Sequence, residues 1–331
     1  MKLPVRILLI ALCVAMVLSM PFVLSSPIMV GEAQWLLLEE MDGEEMGWLS
    51  FLAPTAYAEN VENVSEYSLP IDFTPGYEPN PALFTENGYE DDSIRVQMET
   101  REENGVIWRI AWVEIAHPSQ LRTAVAGKTL TSKTTARVGA MAEKNFAIVA
   151  INGDNFVDNT AATSFEYRMG QKLRNKSNKL RDILIIDENG DFHTFIRSQG
   201  LDEFLASEHT IVNALTFGPA LVQEGKLLTT DKEYKYNPNG KEPRSAIGQM
   251  DTLSYVMVVA EGRNESSGVT HQELANFMHA LGCWEAYNLD GGGSAAMVYN
   301  NEYYNELSSS ERSLSDIIYF ATAVDPETWK E

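Results

Sequence analysis

Between Ser93 and Ala116 apolar and polar positions alternate in two runs, SIRVQMET and VIWRIAWVEIA, separated by REENG. A period of two interrupted by a turn predicts a β-hairpin. The pattern returns in DILIIDENGDFHTFI, in PALVQEGKLL and in RSAIGQMDTLSYVMVVAEG, the last predicting two strands joined at Asp251 and Thr252. Helical spacing is rarer. SKTTARVGAMAEKN predicts one helix, and THQELANFMHALG predicts another with Thr270 as N-cap, Glu273 at the capping-box position and a stop at Gly282. The fold class expected is α+β: a mixed, β-rich twisted sheet with a few packed helices, preceded by an N-terminal membrane segment.

That segment is read from a different pattern. Lys2 and Arg6 precede an uncharged stretch from Ile7 to Gly31 that contains ILLIALCVAMVLSMPFVL, long enough to cross a bilayer. Neither Lys nor Arg occurs between Arg6 and Arg95, so the positive-inside rule leaves the N-terminus in the cytoplasm and the rest outside. Residues 1–31 are therefore expected to be a signal or transmembrane anchor in the cell membrane, the protein being secreted if the segment is cut, for instance near the AYA at 56–58. Residues 32–90 are acidic and interrupted by proline, as in SLPIDFTPGYEPNPALF, and predict a linker; residues 91–327 predict one folded domain. Cys13 lies in the apolar stretch and Cys283 stands alone in the domain, so no disulfide within the domain is expected.

Hydrophobic residues make up 44% of the 331, enough for a sizeable core. A formal charge of −22 argues against a surface that neutralises nucleic-acid phosphates, so no nucleic-acid partner is expected.

Two segments echo one another. AMAEKNFAIVAING and FMHALGCWEAYNLDG each run from a helix end through a short break and an apolar strand to Asn-Gly or Asp-Gly, which puts Asn152 and Asp290 at equivalent strand ends. The second continues as Asp290, Gly291, Gly292, Gly293, Ser294. Three glycines permit positive φ and bring bare N–H groups close to a ligand; the bland alternative is a sharp turn in which the acid bonds its own backbone. The spacing matches neither the dinucleotide fingerprint nor the phosphate loop, and Ser294 is not in a nucleophile elbow. SAAMVYNNEYYNEL predicts a hairpin next, where those nucleotide motifs open a helix.

Arg244 precedes one predicted strand, and Glu261 and Arg263 follow another. Arginine forks suit phosphate, and paired carboxylates suit chemistry at a glycosidic carbon. The competing readings are a surface ion pair between Glu261 and Arg263 and a buried Arg244 bridging loops. The five histidines, His117, His193, His209, His271 and His279, show no ligand spacing and are expected to be surface or half-buried; no metal site is assigned, no cofactor is called for, and a cation held by Asp and carbonyl oxygens stays open.

Taken together, AIVAINGDNF, FGPALVQEGK, PRSAIGQ, VVAEGRNESSGVTHQELANFMHALGCWEAYNLDGGGSAAM and ERSLSD resemble the phosphodiester glycosidase family in content and order, over residues 95 to 325. The animal member of that family uncovers mannose 6-phosphate by removing N-acetylglucosamine. The resemblance implies a mixed α/β domain whose site gathers Asn152, Gly153, Arg244, Arg263, Asp290, Gly291, Gly292, Gly293 and Ser294. Two departures stand out: Glu261-Gly262-Arg263 where the family has Asp-Gly-Arg, and Asp154-Asn155-Phe156 where it has a glycine and an aromatic.

The expected function is hydrolysis of a glycosyl phosphodiester in an extracellular or envelope glycan. Asp290 would be the nucleophile or base and Glu261 the second carboxylate. Arg244 and Arg263 would hold phosphate, the backbone of Gly291, Gly292 and Gly293 would orient it, Asn152 would bond sugar hydroxyls, Gly153 and Ser294 would belong to the substrate site, and Asp154 would supply an extra carboxylate. The alternative is a non-catalytic glycan-binding protein of exopolysaccharide or envelope assembly.

Overall fold

A computed structural model describes residues 67–154, 156, 164–176, 181–230, 234 and 236–329. The chain divides into two units, Met1–Ala56 and Tyr57–Glu331, and all described residues belong to the second. The expected membrane anchor and most of the expected linker lie outside them. Among the described residues no helix is long and apolar enough to cross a membrane.

Among the described residues the domain has three large antiparallel sheets and one two-stranded sheet. The largest has nine strands, in spatial order Phe84–Thr85, Gly88–Asp91, Ile94–Glu103, Val106–Ile115, Ser254–Ala260, Arg244–Asp251, Glu285–Asn288, Ala220–Gln223 and Lys226–Leu227. A second runs Phe192–Phe195, Ile183–Asp187, Ile211–Leu215, Phe165–Arg168 and Gln171–Asn175. A third runs Glu302–Tyr303, Met297–Tyr299, Val149–Asn152, Asp316–Phe320 and Leu121–Val125. The predicted hairpins are present, with one shift: the turn after Arg244–Asp251 pairs Asp251 with Ser254, so its tip is Thr252-Leu253, with Leu253 at φ 54°.

Alternation explains the layers. On Val106–Ile115, Val106, Trp108 and Ile110 face one core, while Ala111, Val113 and Ile115 face another. The second set joins Ile148, Ile151, Leu184, Leu215 and Phe320 in a core shared by all three sheets. The first set packs beneath the helix His271–Ala280, where Trp108 stacks on Phe277 at 3.6 Å between ring centroids. Thr270 caps that helix and Glu273 completes the capping box. The helix Val138–Lys144 covers the third sheet through Val138, Met141 and Ala142. It is shorter than SKTTARVGAMAEKN suggests, because the Ser132 hydroxyl bonds the Thr134 backbone and hydroxyl, and Ala136–Arg137 pair as a strand with Ser313–Leu314.

The two echoing units thus place Val149–Asn152 in the third sheet and Glu285–Asn288 in the nine-stranded one. The candidate site forms where the ends of these strands meet.

Candidate active site

Asn152 joins the two turns. Its side-chain nitrogen donates to the main-chain oxygens of Asp290 at 2.7 Å and Gly153 at 3.0 Å, and its oxygen accepts from the Ser245 hydroxyl at 2.8 Å and the Ala296 amide at 3.1 Å. With no exposed surface and four bonds inside the protein, it positions the turns and has no side-chain atom left for a sugar. Gly153 lies just beyond, and a Cβ there would overlap the Asp316 carboxyl.

Asp290 is half-buried beside a cavity of about 510 Å³ whose lining includes Asp154, Arg244, Arg263, Asp290 and Gly291, Gly292 and Gly293. Burial pushes its carboxyl up to about 6; hydrogen bonds from Ser294 and the Gly291 amide and the charge of Arg312 pull the other way, and Asp154 adds to the rise. A carboxyl tuned to this range suits proton transfer near neutrality. The glycine run therefore serves the acid first: the Gly291 amide turns onto Asp290, and the Gly292 amide donates to Pro243 at 2.7 Å. Gly292 sits at φ 60° with the Arg263 guanidinium 3.2 Å from where a Cβ would be. Ser294 is buried in support, accepting from Arg312 at 2.9 Å while it bonds Asp290.

Three guanidinium groups, those of Arg244, Arg263 and Arg312, face this cavity. Arg244 is 3% exposed, and each of its N–H groups is spent: on the main-chain oxygens of Val269, Tyr236, Asn237 and Gly240, and on His271 Nε2 at 2.9 Å. The loop-bridging reading of Arg244 is the one the structure bears out. Its fork is not available to phosphate, but its charge is, because no carboxylate among the described residues bonds it. Burial lowers it to about 10, which Glu242 opposes and Arg263 reinforces.

His271 is fully buried, unlike the surface or half-buried position expected of the histidines. Burial and the Arg244 charge push it down to about 3, so it is neutral and accepts from Arg244. Arg263 pairs with Glu242 at 2.7 Å, not with Glu261. Arg263, Tyr236 and Asn237 all hold positive φ around the cavity, at 71°, 68° and 54°. Phe217 and Tyr236 stack at 4.7 Å to form an aromatic wall.

Glu261, expected as the second carboxylate, does not line the cavity. It is 4% exposed, bonds Arg109 at 2.7 Å and accepts the Glu306 amide at 2.9 Å. Asp154 lies against the cavity in its place. One of its oxygens bonds Arg168 at 2.6 Å and the other accepts the Thr216 amide at 2.9 Å.

Arg168 also bonds Asp316 at 2.8 Å and Glu166 at 3.3 Å, all with fully buried side chains. Burial alone would lower Arg168, yet the charges of Asp154, Asp316 and Glu166 outweigh it and hold it above its ordinary value. Three carboxylates on one guanidinium leave surplus negative charge. Burial, then the Asp154 charge, push Glu166 well above its ordinary value, a direction that favours a proton on this acid.

Of this group the sequence pointed to Asp154 alone; Glu166, Arg168 and Asp316 were passed over, as was Arg312. Two signals existed: ERSLSD contains both Arg312 and Asp316, and Glu166 and Arg168 sit two apart on one strand, hence on one face.

The family model described as phosphodiester glycosidase matches residues 145–321. The catalytic domain of zebrafish N-acetylglucosamine-1-phosphodiester alpha-N-acetylglucosaminidase, auto-inhibited by its pro-peptide, superposes with a TM-score of 0.56 over 79% of this chain and 98% of that one, at 16% identity, a likeness of fold. The SPbeta prophage-derived uncharacterized protein YomE of Bacillus subtilis (strain 168) is 26% identical over 184 residues, 54% of this chain but 28% of that relative.

Proposed function

The chain belongs to the phosphodiester glycosidase family, and from that premise we propose that it hydrolyses a glycosyl phosphodiester of an extracellular or envelope glycan at the bond between anomeric carbon and phosphate oxygen. One observation carries the reading: Asp290, raised to about 6, shares a cavity with three guanidinium groups, one of them buried without a bonded carboxylate. Such a cavity favours an anion beside an acid–base group.

The substrate phosphate sits on the side of Arg263 and Arg312, with the Arg244 charge behind it. As the bond to the anomeric carbon breaks, the electron pair leaves on the phosphate oxygen. Guanidinium charge stabilises it there and reduces the need for a proton donor. Asp290 in its ionised form either attacks the anomeric carbon or takes the proton from the water that does. The Phe217–Tyr236 wall offers an apolar face to the sugar ring. Asp154, locked by Arg168 and Thr216, supplies a fixed negative charge near the oxocarbenium-like carbon. The apolar stretch after Arg6 would hold the domain outside the cytoplasm, on the membrane or released from it.

A second reading, glycan binding without turnover, gains from Glu261, whose engagement by Arg109 removes the expected carboxylate partner. The test is hydrolysis of an N-acetylglucosamine-1-phosphodiester, the substrate class in the name of the zebrafish relative, by the wild-type chain and Asp290→Asn. The catalytic reading expects turnover by the wild type and a loss of at least about 100-fold in the variant. Equal rates overturn the role of Asp290; saturable binding with no turnover by either supports the second reading.

A further inference from the structure

On the second sheet, at the strand ends bordering another cavity, Asp187, His193 and His209 come together. Their ligating atoms lie within 4.8 Å of one another, and the described residues contain no other such group of three. His193 Nε2 and His209 Nδ1 each stand 3.0 Å from the same oxygen, Asp187 Oδ2.

The three residues come from separate places that strand pairing unites. Asp187 ends the strand Ile183–Asp187. His193 lies on the antiparallel neighbour Phe192–Phe195, and His209 precedes Ile211–Leu215, whose Ile211 pairs with Asp187. The other oxygen of Asp187 is pinned by the amides of Asn189 at 2.9 Å and Asp191 at 3.0 Å, so the carboxylate cannot rotate and Oδ2 is left aimed at the imidazoles. Phe204 flanks both rings, stacked on His209 at 5.1 Å and tilted against His193 at 4.8 Å.

The geometry points to a site for one divalent first-row transition metal ion, Zn²⁺ by preference, held by Asp187, His193 and His209. Two imidazole nitrogens and one carboxylate oxygen match the three-ligand sets that Zn²⁺ accepts, with bonds of about 2.0–2.2 Å and water in the fourth position. At those bond lengths tetrahedral ligands stand about 3.3 Å apart, so the two contacts to Asp187 would open by a few tenths of an ångström and the two nitrogens, within 4.8 Å of one another, would settle at about that spacing. Backbone amides on the far carboxylate oxygen are the outer support that metal-bound carboxylates require. Asp187 is buried, while the side chains of His193 and His209 are 29% and 39% exposed, which leaves the fourth position open to water. A single hydrogen bond to Asp187 would need one histidine; a second, from another segment and at equal distance, gives a cation its third ligand.

This site is separate from the Asp290 cavity and does not depend on the reaction proposed there. Bound metal would tie the hairpin Ile183–Phe195 to the segment entering Ile211–Leu215.

The test uses the full chain without a histidine tag, stripped with chelator and titrated with ZnCl₂ or CoCl₂ alone. The expected result is saturable binding of one ion per chain, a visible absorption band of four-coordinate Co²⁺, and a rise in Tm with Zn²⁺. His209→Ala, at the most exposed ligand, should fold normally and weaken binding by at least the 10- to 100-fold that loss of an outer partner alone costs, roughly. His193→Gln serves as the second variant, and phosphodiester hydrolysis should be unchanged in both. Absence of saturable binding, or affinity within about twofold of wild type in both variants, overturns the proposal.

Discussion

The side-chain nitrogen of Asn152 donates at 2.7 Å to the main-chain oxygen of Asp290, 138 residues along the chain. Two strand-end turns from two different sheets are thereby held as one unit, and the catalytic candidate takes its position from a residue that never meets the cavity. Asn152→Ala would leave the Asp290 oxygen, the Ser245 hydroxyl and the Ala296 amide without this partner, the last two in buried surroundings. The expected cost is about 2–4 kcal/mol, read as a lower urea midpoint with unchanged slope. A fall in kcat exceeding any rise in KM should accompany it, because Asp290 is displaced and not removed.

The raised Asp290 gives opposite outcomes for stability and activity. Its folded-state value, about 6, lies above the ordinary 3.8, so the stability linked to its protonated form is complete below about 3.8 and is lost as pH rises through 6. Asp290→Asn cannot ionise, and should be more stable than wild type at pH 7.5 by on the order of 1–2 kcal/mol, the full shift being discounted for partial exposure. The difference should vanish at pH 3.5. Wild-type kcat should rise with pH through an inflection near 6 as the carboxylate form appears. Denaturation at the two pH values and a kcat–pH profile check both halves.

What the sequence made legible was local. The period-two runs, the Thr270 cap and the Asp290 glycine turn each lie within a dozen residues, and so does the strand-end position of Asn152. Glu261 shows the limit: its place just past a strand was readable, but its direction was not. On the neighbouring strand Arg109 pairs in register with Val259, close enough for its side chain to take Glu261 away from the cavity. Arg244 was readable as a strand-end cation, whereas its use on the Tyr236–Gly240 loop required that loop's path. The Arg168 group joins residues up to 162 positions apart, Asp154 and Asp316 among them, and only the packed sheets bring them together.

In that group Glu166 and Arg168 should respond very differently to substitution. The raised Glu166 favours its neutral form, which Glu166→Gln mimics with an amide of the same shape, so this variant should cost less than about 1 kcal/mol. The wild type loses its Glu166-linked stability as pH rises above about 4.5 toward the raised folded value, and the variant, lacking that proton, should overtake it as pH increases. Arg168→Met strips the counter-charge from the buried carboxylates of Asp154 and Asp316 and a donor from Glu166, and should cost about 3–5 kcal/mol. Urea unfolding of the two variants from pH 6 to pH 9 checks the contrast.

Arg244 and Arg263 face the same cavity but should separate in kinetics. Arg263 is 44% exposed and holds only Glu242, an ion pair worth less than about 1 kcal/mol, so Arg263→Ala should leave Tm nearly unchanged. Its loss should instead raise KM for a glycosyl phosphodiester roughly tenfold and weaken the salt dependence of kcat/KM, as expected of a phosphate contact. Arg244→Ala takes a donor from four main-chain oxygens, of which those of Val269 and Asn237 still accept the Glu242 and Gly240 amides, and leaves both nitrogens of buried His271 unpaired, since His271 Nδ1 already has no partner among the described residues. That variant should lose about 2–4 kcal/mol of stability and more of kcat/KM than Arg263→Ala. Arg244→Lys, with three N–H groups to replace five, should recover the charge but only part of the loop. If charge behind the phosphate is what Arg244 contributes, kcat/KM in the lysine variant should recover further than Tm; if holding the loop is its whole contribution, the two should recover together.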